Sequence, residues 1–196
     1  GEQLTFPPQL VSIYSSVLAD SENDPELAAK MLLIPTEAYL WELVDEIDVE
    51  SIHSAREFVK QELALALIEP FLKVYRTQSS SEIYQATSQQ MARRSLKNIA
   101  LQYLVWSGQE PWLQMAMEQV SSGSNMTDVS AALGALVNSM APQAEQLSNK
   151  ALEQFYQSWK HEPLVVNQWF ALQAGCPQAG ALQRVEKLLE HDAFDI

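Results

Sequence analysis

The sequence predicts an all-α protein of about ten short to medium helices. Apolar residues recur at helical spacing along most of the chain, segments with the alternation of a strand are nearly absent, and residues that start or stop helices occur at short intervals. Short connections favour antiparallel neighbours, so we expect an antiparallel helical bundle or an irregular α-superhelix. No repeat with a period of about 34 or 40 residues is evident, which disfavours a TPR or HEAT array.

The N-terminal region contains clear boundaries for two short helices. In "NDPELAAKMLLIP", Asp24 is placed as an N-cap, Pro25 occupies the first helical position and Pro35 ends the helix. The next stretch, "TEAYLWELVDEID" (36–48), predicts a second short helix that begins at Thr36. Its apolar side would be formed by Leu40, Leu43 and Val44.

A long helix is predicted to begin at Asp48 or Ser51. Its apolar side is broad, which indicates burial on more than one face. One face comprises Ile52, Ala55, Val59, Leu63, Ala66 and Leu67, and the adjoining apolar residues are Phe58, Leu65 and Ile68. Pro70 is expected to kink or break the helix before "FLKVYR".

The middle of the chain contains the best candidate for a loop. The stretch "TQSSSEIYQATSQQ" (77–90) is polar and rich in serine, whereas "MARRSLKNIALQYLVW" (91–106) has apolar residues at helical spacing. Gly108 is expected to end that helix. A short helix, "QEPWLQMAMEQV", follows behind Pro111.

Four further helices are predicted in the C-terminal part. Asn125 and Asp128 have the spacing of a capping box, with aspartate in place of the usual glutamate. The buried stripe of the helix that follows would comprise Val129, Ala132, Leu133, Leu136, Val137 and Met140. The remaining three helices are expected at roughly 145–159, 164–174 and 178–190.

Charge is distributed unevenly along a chain whose net charge is −13. The first fifty residues carry eleven acidic residues and one base, Lys30, whereas residues 51–100 carry seven bases and four acids. A strongly acidic chain is a poor match for nucleic acid. We interpret the basic stretch as a solvated face or a partner for the acidic N-terminal helices.

The residue types that carry catalysis are present but scattered. The stretch "HEPLV" begins like the zinc-peptidase motif His-Glu-x-x-His, but position four after His161 is Val165. His53 and His191 have no other histidine within four residues, so we predict no metal ligand among the three. Cys176 is interpreted as a structural residue in a helix–helix turn.

Other candidate groups have structural explanations. Asp45, Glu46, Asp48 and Glu50 lie in a connector and are interpreted as cap and solvent residues. The five tryptophans lie among helical apolar positions, where core packing is the default: Trp41, Trp106, Trp112, Trp159 and Trp169. No glycine-rich phosphate loop or Gly-x-Ser-x-Gly elbow is present. The residues alone therefore predict no catalytic site and no metal site, and they do not identify substrate-binding residues.

Several stretches together resemble the C-terminal helical domain of bacterial aminopeptidase N, a gluzincin-type zinc metallopeptidase. The most distinctive are "NMTDVSAALGAL" (125–136) and "LVVNQWFALQA" (164–174). The others, in the same order and approximate spacing, are "IPTEAYLWELVDEID", "ARRSLKNIALQYL" and "RVEKLLEHDAF". The likeness runs from about Leu27 to the end of the chain.

The resemblance implies that residues 1–196 form a single helical domain, a fragment of a zinc-dependent aminopeptidase whose catalytic zinc domain is absent from this segment. Family members remove N-terminal residues, alanine among them, from peptides. Their zinc motif and their Gly-Ala-Met-Glu-Asn amine-binding segment have no counterpart here, so no catalytic residue or zinc ligand is assigned. The implied partners are the parent's own catalytic domain and peptide substrates, with no nucleic acid and no membrane, in the cytoplasm.

Two functions remain open from the sequence. The first is a non-catalytic helical cover domain that encloses the substrate cavity of the parent enzyme, limits access and is inactive alone. The second is a free-standing helical scaffold for protein–protein interaction. A truncated domain should expose apolar area where missing neighbours pack, and we expect such a patch near the C-terminal helices. The apolar residues Phe194 and Ile196 at the end of the chain also favour a truncated domain.

Overall fold

The computed structural model describes residues 4–176 and 180–194, and within them it contains eleven α-helices and no strand. These helices divide into two compact units, one as far as Ser107 and the other from Gly108 onward. The helices of the first unit are α1 (Pro8–Asp20), α2 (Pro25–Met31), α3 (Glu37–Trp41), α4 (Val49–Ala66), α5 (Ile68–Gln78) and α6 (Ser88–Trp106). Those of the second unit are α7 (Glu110–Ser122), α8 (Met126–Val137), α9 (Ala144–Trp159), α10 (Pro163–Ala174) and α11 (Ala181–Leu189).

The first unit is centred on α6, which packs against α2, α4 and α5. Leu96, Ala100, Leu101 and Leu104 on α6 are completely buried, because apolar residues three and four apart place one continuous stripe in the core. Tyr103 lies within the same core and stacks on Phe71 of α5, with ring centroids 4.2 Å apart.

The second unit is centred on α8, which packs against α7 and α9 and also contacts α10. Its predicted stripe is buried at five of six positions, Val129, Ala132, Leu133, Leu136 and Val137. Met140 is 59% exposed because α8 ends at Val137, so its assignment to the stripe was wrong. Trp169 of α10 is buried, and its indole N–H donates to the carbonyl of Leu152, at 3.0 Å.

The predicted helix caps are present with side-chain hydrogen bonds. Asp24, Thr36 and Asp48 accept from backbone amides three residues later and so begin α2, α3 and α4. At the start of α8, the side-chain oxygen of Asn125 accepts from the backbone amide of Asp128, at 2.9 Å. The side-chain amide of Asn125 in turn donates to the Asp128 carboxylate, also at 2.9 Å. The predicted pairing of Asn125 with Asp128 is therefore present, and its second hydrogen bond joins the two side chains.

The predicted break at Pro70 falls three residues earlier than that proline. Helix α4 ends at Ala66 and α5 begins at Ile68, with Pro70 in the first turn of α5. A proline ring clashes with the carbonyl of the residue four before it, which here is Ala66. The first turn tolerates proline because its amides have no helical partner.

The second predicted helix is shorter than expected. It ends at Trp41 rather than near Asp48, and Leu43 and Val44, which were expected on its apolar side, are 63% and 43% exposed. Acidic side chains disfavour a helix C-terminus because the helix dipole is negative there, and Glu42, Asp45 and Glu46 occupy the extension. Leu65 of α4, predicted to add to the apolar side, is also exposed.

Candidate functional site

The three histidines occupy three separate environments. His53 of α4 places Nδ1 2.8 Å from a carboxylate oxygen of Glu37. His161 is exposed in the turn before α10, which begins at Pro163 as expected for a helix start. His191 follows α11 and accepts a hydrogen bond at Nδ1 from the Ala193 amide, at 3.1 Å.

His191 lies within a cluster of aromatic rings in the second unit. Its ring centroid is 5.0 to 5.5 Å from those of Tyr156, Trp169 and Phe170. Phe194 extends the cluster by packing edge-on against Phe170, at 5.6 Å. The predicted inward packing of Trp169 is therefore accompanied by a docked C-terminal turn, and His191 serves packing in this arrangement.

The donor set of the described residues does not fit a catalytic zinc ion. Zinc requires three or four histidine, cysteine, aspartate or glutamate side chains that converge on one point. In residues 4–176 and 180–194, no group of three or more such side chains could hold a metal ion. Zinc chemistry is therefore not assigned to these residues.

Cys176 is buried at the end of the turn after α10. Its thiol lies 3.2 Å from the carbonyl oxygen of Val137 and donates to it. A nucleophilic cysteine needs a base that lowers its pKa and access to solvent. The observed contacts are those of a structural residue; Pro177, beside it, is outside the described residues.

An open cavity of about 680 Å³ lies in the first unit. Its lining comprises Glu22, Asn23, Pro25, Thr77, Gln78, Gln89, Ala92 and Arg93. Arg93 is ion-paired with Glu82 at 3.8 Å, which reduces the charge it offers to a ligand. The cavity mixes one acid and one base, so its lining selects no charged class of ligand.

The most unusual surface of the first unit is residues 42–50, which we name the acidic–apolar segment; it comprises the connector from α3 and the first two residues of α4. Every residue of the segment is exposed. Its apolar side chains are Leu43, Val44, Ile47 and Val49, with exposed fractions of 63%, 43%, 53% and 53%. They alternate irregularly with five acids, Glu42, Asp45, Glu46, Asp48 and Glu50.

Both ends of the acidic–apolar segment are fixed to the helices beside it. At its start, the amides of Glu42 and Leu43 donate to carbonyls of α3, at 3.2 and 3.1 Å. At its other end, Asp48 caps α4 by accepting from the Ser51 amide at 3.0 Å and the Ser51 hydroxyl at 2.7 Å. These hydrogen bonds from Ser51 lower the pKa of Asp48 below its usual value. Arg56 of α4 donates to the carbonyl of Pro35, at 2.8 Å, which ties α4 to the entry of α3.

Exposed apolar residues also occur near the C-terminal helices, where a patch was expected. Leu164 at the start of α10 is 80% exposed. Leu182 and Leu189 lie seven residues apart on one face of α11 and are 66% and 55% exposed. The acidic–apolar segment nevertheless has more exposed apolar residues within a short stretch of sequence than these helices do. Sequence reasoning missed it because the apolar residues at 43, 44 and 47 also fit a helix face.

The capped helices and the absence of strands in the described residues define an all-α helical class of protein, and comparison with known proteins places the chain more closely. Over residues 1–196 the sequence matches the family described as "Domain of unknown function (DUF3458_C) ARM repeats". The chain belongs to this family. The family's description as ARM repeats agrees with the all-α fold and the irregular α-superhelix expected from the sequence, where only a TPR or HEAT array was disfavoured.

Curated relatives carry the name aminopeptidase N. The chain is 35% identical over its whole length to aminopeptidase N of Haemophilus influenzae, and 32% identical over 99% of its length to that of Escherichia coli strain K12. It spans 22% of the length of each of these relatives. The resemblance drawn from the sequence is therefore confirmed.

A solved structure agrees with this assignment. The fold matches that of Legionella pneumophila aminopeptidase A, determined in complex with aspartic acid, with a TM-score of 0.81 and 28% sequence identity. The match covers 100% of this chain and 23% of the Legionella chain. No helix in the described parts of this chain has both the length and the apolar character needed to cross a membrane.

Proposed function

We propose that this segment is the non-catalytic helical cover domain of a zinc-dependent, cytoplasmic aminopeptidase that removes N-terminal residues from peptides. The observation that carries the proposal is the full-length match to segments of aminopeptidase N, supported by the fold match to aminopeptidase A over the whole chain. A segment that fills about a fifth of longer aminopeptidases is better explained as a part of such an enzyme than as a free-standing scaffold.

In this role the segment encloses the substrate cavity beside the parent's catalytic domain. Enclosure excludes water and folded proteins from the reaction site, and it admits peptides of suitable size. Zinc and the residues that activate water belong to the catalytic domain in this proposal.

The test compares this chain with the full-length parent enzyme, using an alanyl chromogenic substrate with zinc supplied. We expect turnover by the full-length enzyme and none above buffer by residues 1–196. Zinc-dependent turnover by residues 1–196 that survives repurification would contradict the proposal. Substitution of His53, His161 and His191 would then locate the unrecognised site.

A second measurement addresses the cover itself. The full-length enzyme should cleave short peptides readily and should spare a folded protein whose N-terminus is the same residue, because an enclosed cavity admits only chains that can enter it. The matched control is the same folded protein after denaturation and digestion into peptides. Equal cleavage of the folded protein and its peptides would argue for an open active site.

A further inference from the structure

The structure contains an exposed surface that the fold leaves uncovered, the acidic–apolar segment at residues 42–50. Four large apolar side chains within seven residues are each more than two-fifths exposed, namely Leu43, Val44, Ile47 and Val49. Scattered single apolar residues on a surface are normal, but a contiguous cluster marks an interaction site.

Asp48 caps α4, but the other four carboxylates of the segment have no side-chain partner among the described residues. Among the residues that the structure describes, no ion pair or hydrogen bond engages the side chains of Glu42, Asp45, Glu46 or Glu50. The lysine or arginine nearest to the segment in sequence, Arg56, is engaged elsewhere: it donates to the carbonyl of Pro35 and lies 3.6 Å from Glu57. The expected pairing of the basic stretch with the acidic N-terminal region is thus not made at this segment.

The backbone of the segment is held in place although residues 42–48 are not helical. These residues join α3 to α4, and His53 and Arg56 tie α4 to Glu37 and Pro35 at the start of α3. A surface fixed in this way loses little conformational entropy when it binds. The arrangement is that of a preformed docking surface.

We propose that the acidic–apolar segment docks the cover domain onto a basic and apolar surface of the parent enzyme's remaining polypeptide. This inference rests on the proposed function. A surface that complements this segment presents lysine or arginine side chains opposite its carboxylates and apolar side chains opposite its apolar residues. Such charge pairs also determine how the two surfaces align. Relatives are several times longer than this chain, so the covering surface is supplied in cis.

A second copy of the chain is the wrong occupant on electrostatic grounds. A two-fold interface would place the same acidic segment of each copy in one shared contact. The net charge of −13 and the five acids of the segment make that contact repulsive. The occupant is therefore a surface of opposite charge.

The test is hydrogen–deuterium exchange of the full-length parent enzyme, read at the amides of Val44, Asp45, Glu46 and Ile47. Within the described residues none of these four amides donates a hydrogen bond, so nothing in this segment itself slows their exchange. We expect exchange about tenfold or more slower than in an unstructured peptide of the same sequence, because a docked surface exchanges only when it opens. Exchange at the unstructured rate would overturn the proposal.

Charge variants of the full-length enzyme identify the chemistry of the covering surface. Glu46→Lys should return these amides toward fast exchange, and Glu46→Gln should have a smaller effect. The matched control is Glu118→Lys, the same change at an exposed acid on α7, which should leave them slow. Slow exchange that persists in Glu46→Lys would show that the covering surface is not basic. Protection that grows with protein concentration would indicate a second copy. Either result overturns the proposal.

The outcome is separable from that of the cover function. Unprotected amides in an enzyme that still spares folded proteins would reject this docking surface and leave the cover role intact. Protected amides in an enzyme that cleaves folded proteins freely would support docking through this segment and reject the cover role.

Discussion

The hydroxyl of Tyr103 donates a hydrogen bond to the backbone carbonyl of Leu32, at 2.7 Å, across 71 residues of sequence. Tyr103 and Leu32 are each 1% exposed, so the bond joins α6 to the end of α2 inside the core. The Tyr103 ring also stacks on Phe71 and meets Trp106 edge-on, at 4.8 Å. One side chain therefore links three helices of the first unit.

Replacement of Tyr103 with phenylalanine should destabilise the first unit with little change in packing volume. The Leu32 carbonyl would lose this donor in a buried position, which costs about 1–3 kcal/mol of unfolding free energy. Urea unfolding followed by circular dichroism measures the change. Tyr39→Phe, at an exposed residue, is the control and should have almost no effect. Equal midpoints for the two variants would show that the bond contributes nothing.

The same residue predicts a loss of stability at alkaline pH. Burial raises the pKa of Tyr103 above its ordinary value of 10.0. A raised pKa in the folded state means that the unfolded chain releases the tyrosine proton more readily, so stability is complete below pH 10 and falls as pH rises above it. Stability measured between pH 8 and pH 11 should decline less steeply in Tyr103→Phe than in wild type. An equal decline of stability with pH in Tyr103→Phe and wild type would contradict the prediction.

Gly108 and Gly134 should respond to alanine in opposite directions. Gly108 has φ of +72°, a conformation that costs an L-residue about 1–2 kcal/mol, so Gly108→Ala should destabilise by that amount. Gly134 lies within α8, and a Cβ there would meet Leu172 at an ordinary 3.5 Å. Gly134→Ala should therefore stabilise by up to about 1 kcal/mol, as expected for a helix interior. Thermal unfolding of both variants tests the pair. A stabilising Gly108→Ala would contradict the account of this helix end.

Local signals in the sequence predicted most of the fold. Caps at Asp24, Thr36, Asp48 and Asn125 and the stop at Gly108 depend on residues within a few positions, and they are present in the structure. What failed depends on tertiary contacts. The apolar residues at 43 and 44 fit a helix face by spacing, but both are exposed and the helix ends before them.

The candidate docking surface could not be predicted for a related reason. Periodicity identifies a face that is apolar, but it does not say whether that face is covered by the same chain or by another surface. Leu63 and Leu43 are equally apolar, yet Leu63 is fully buried and Leu43 is 63% exposed. The difference lies in the position of α6, against which α4 packs and which a local pattern does not encode.

Asp48 should make the protein sensitive to acid through the start of α4. Hydrogen bonds from the amide and hydroxyl of Ser51 lower its pKa below the ordinary value of 3.8. A lowered pKa means that the stabilising contribution of the carboxylate is present above the ordinary value and is lost as pH falls through the folded-state pKa.

Asp48→Asn keeps a capping oxygen but removes the charge. The unfolding free energy of wild type, measured by urea unfolding, should therefore fall more than that of Asp48→Asn as pH is lowered from 6 to 2. The control is Asp45→Asn, which removes the same charge from a carboxylate that accepts no hydrogen bond within the described residues; its effect should change less with pH than that of Asp48→Asn. An effect of Asp48→Asn that changes with pH no more than that of Asp45→Asn would show that Ser51 does not stabilise the ionised carboxylate.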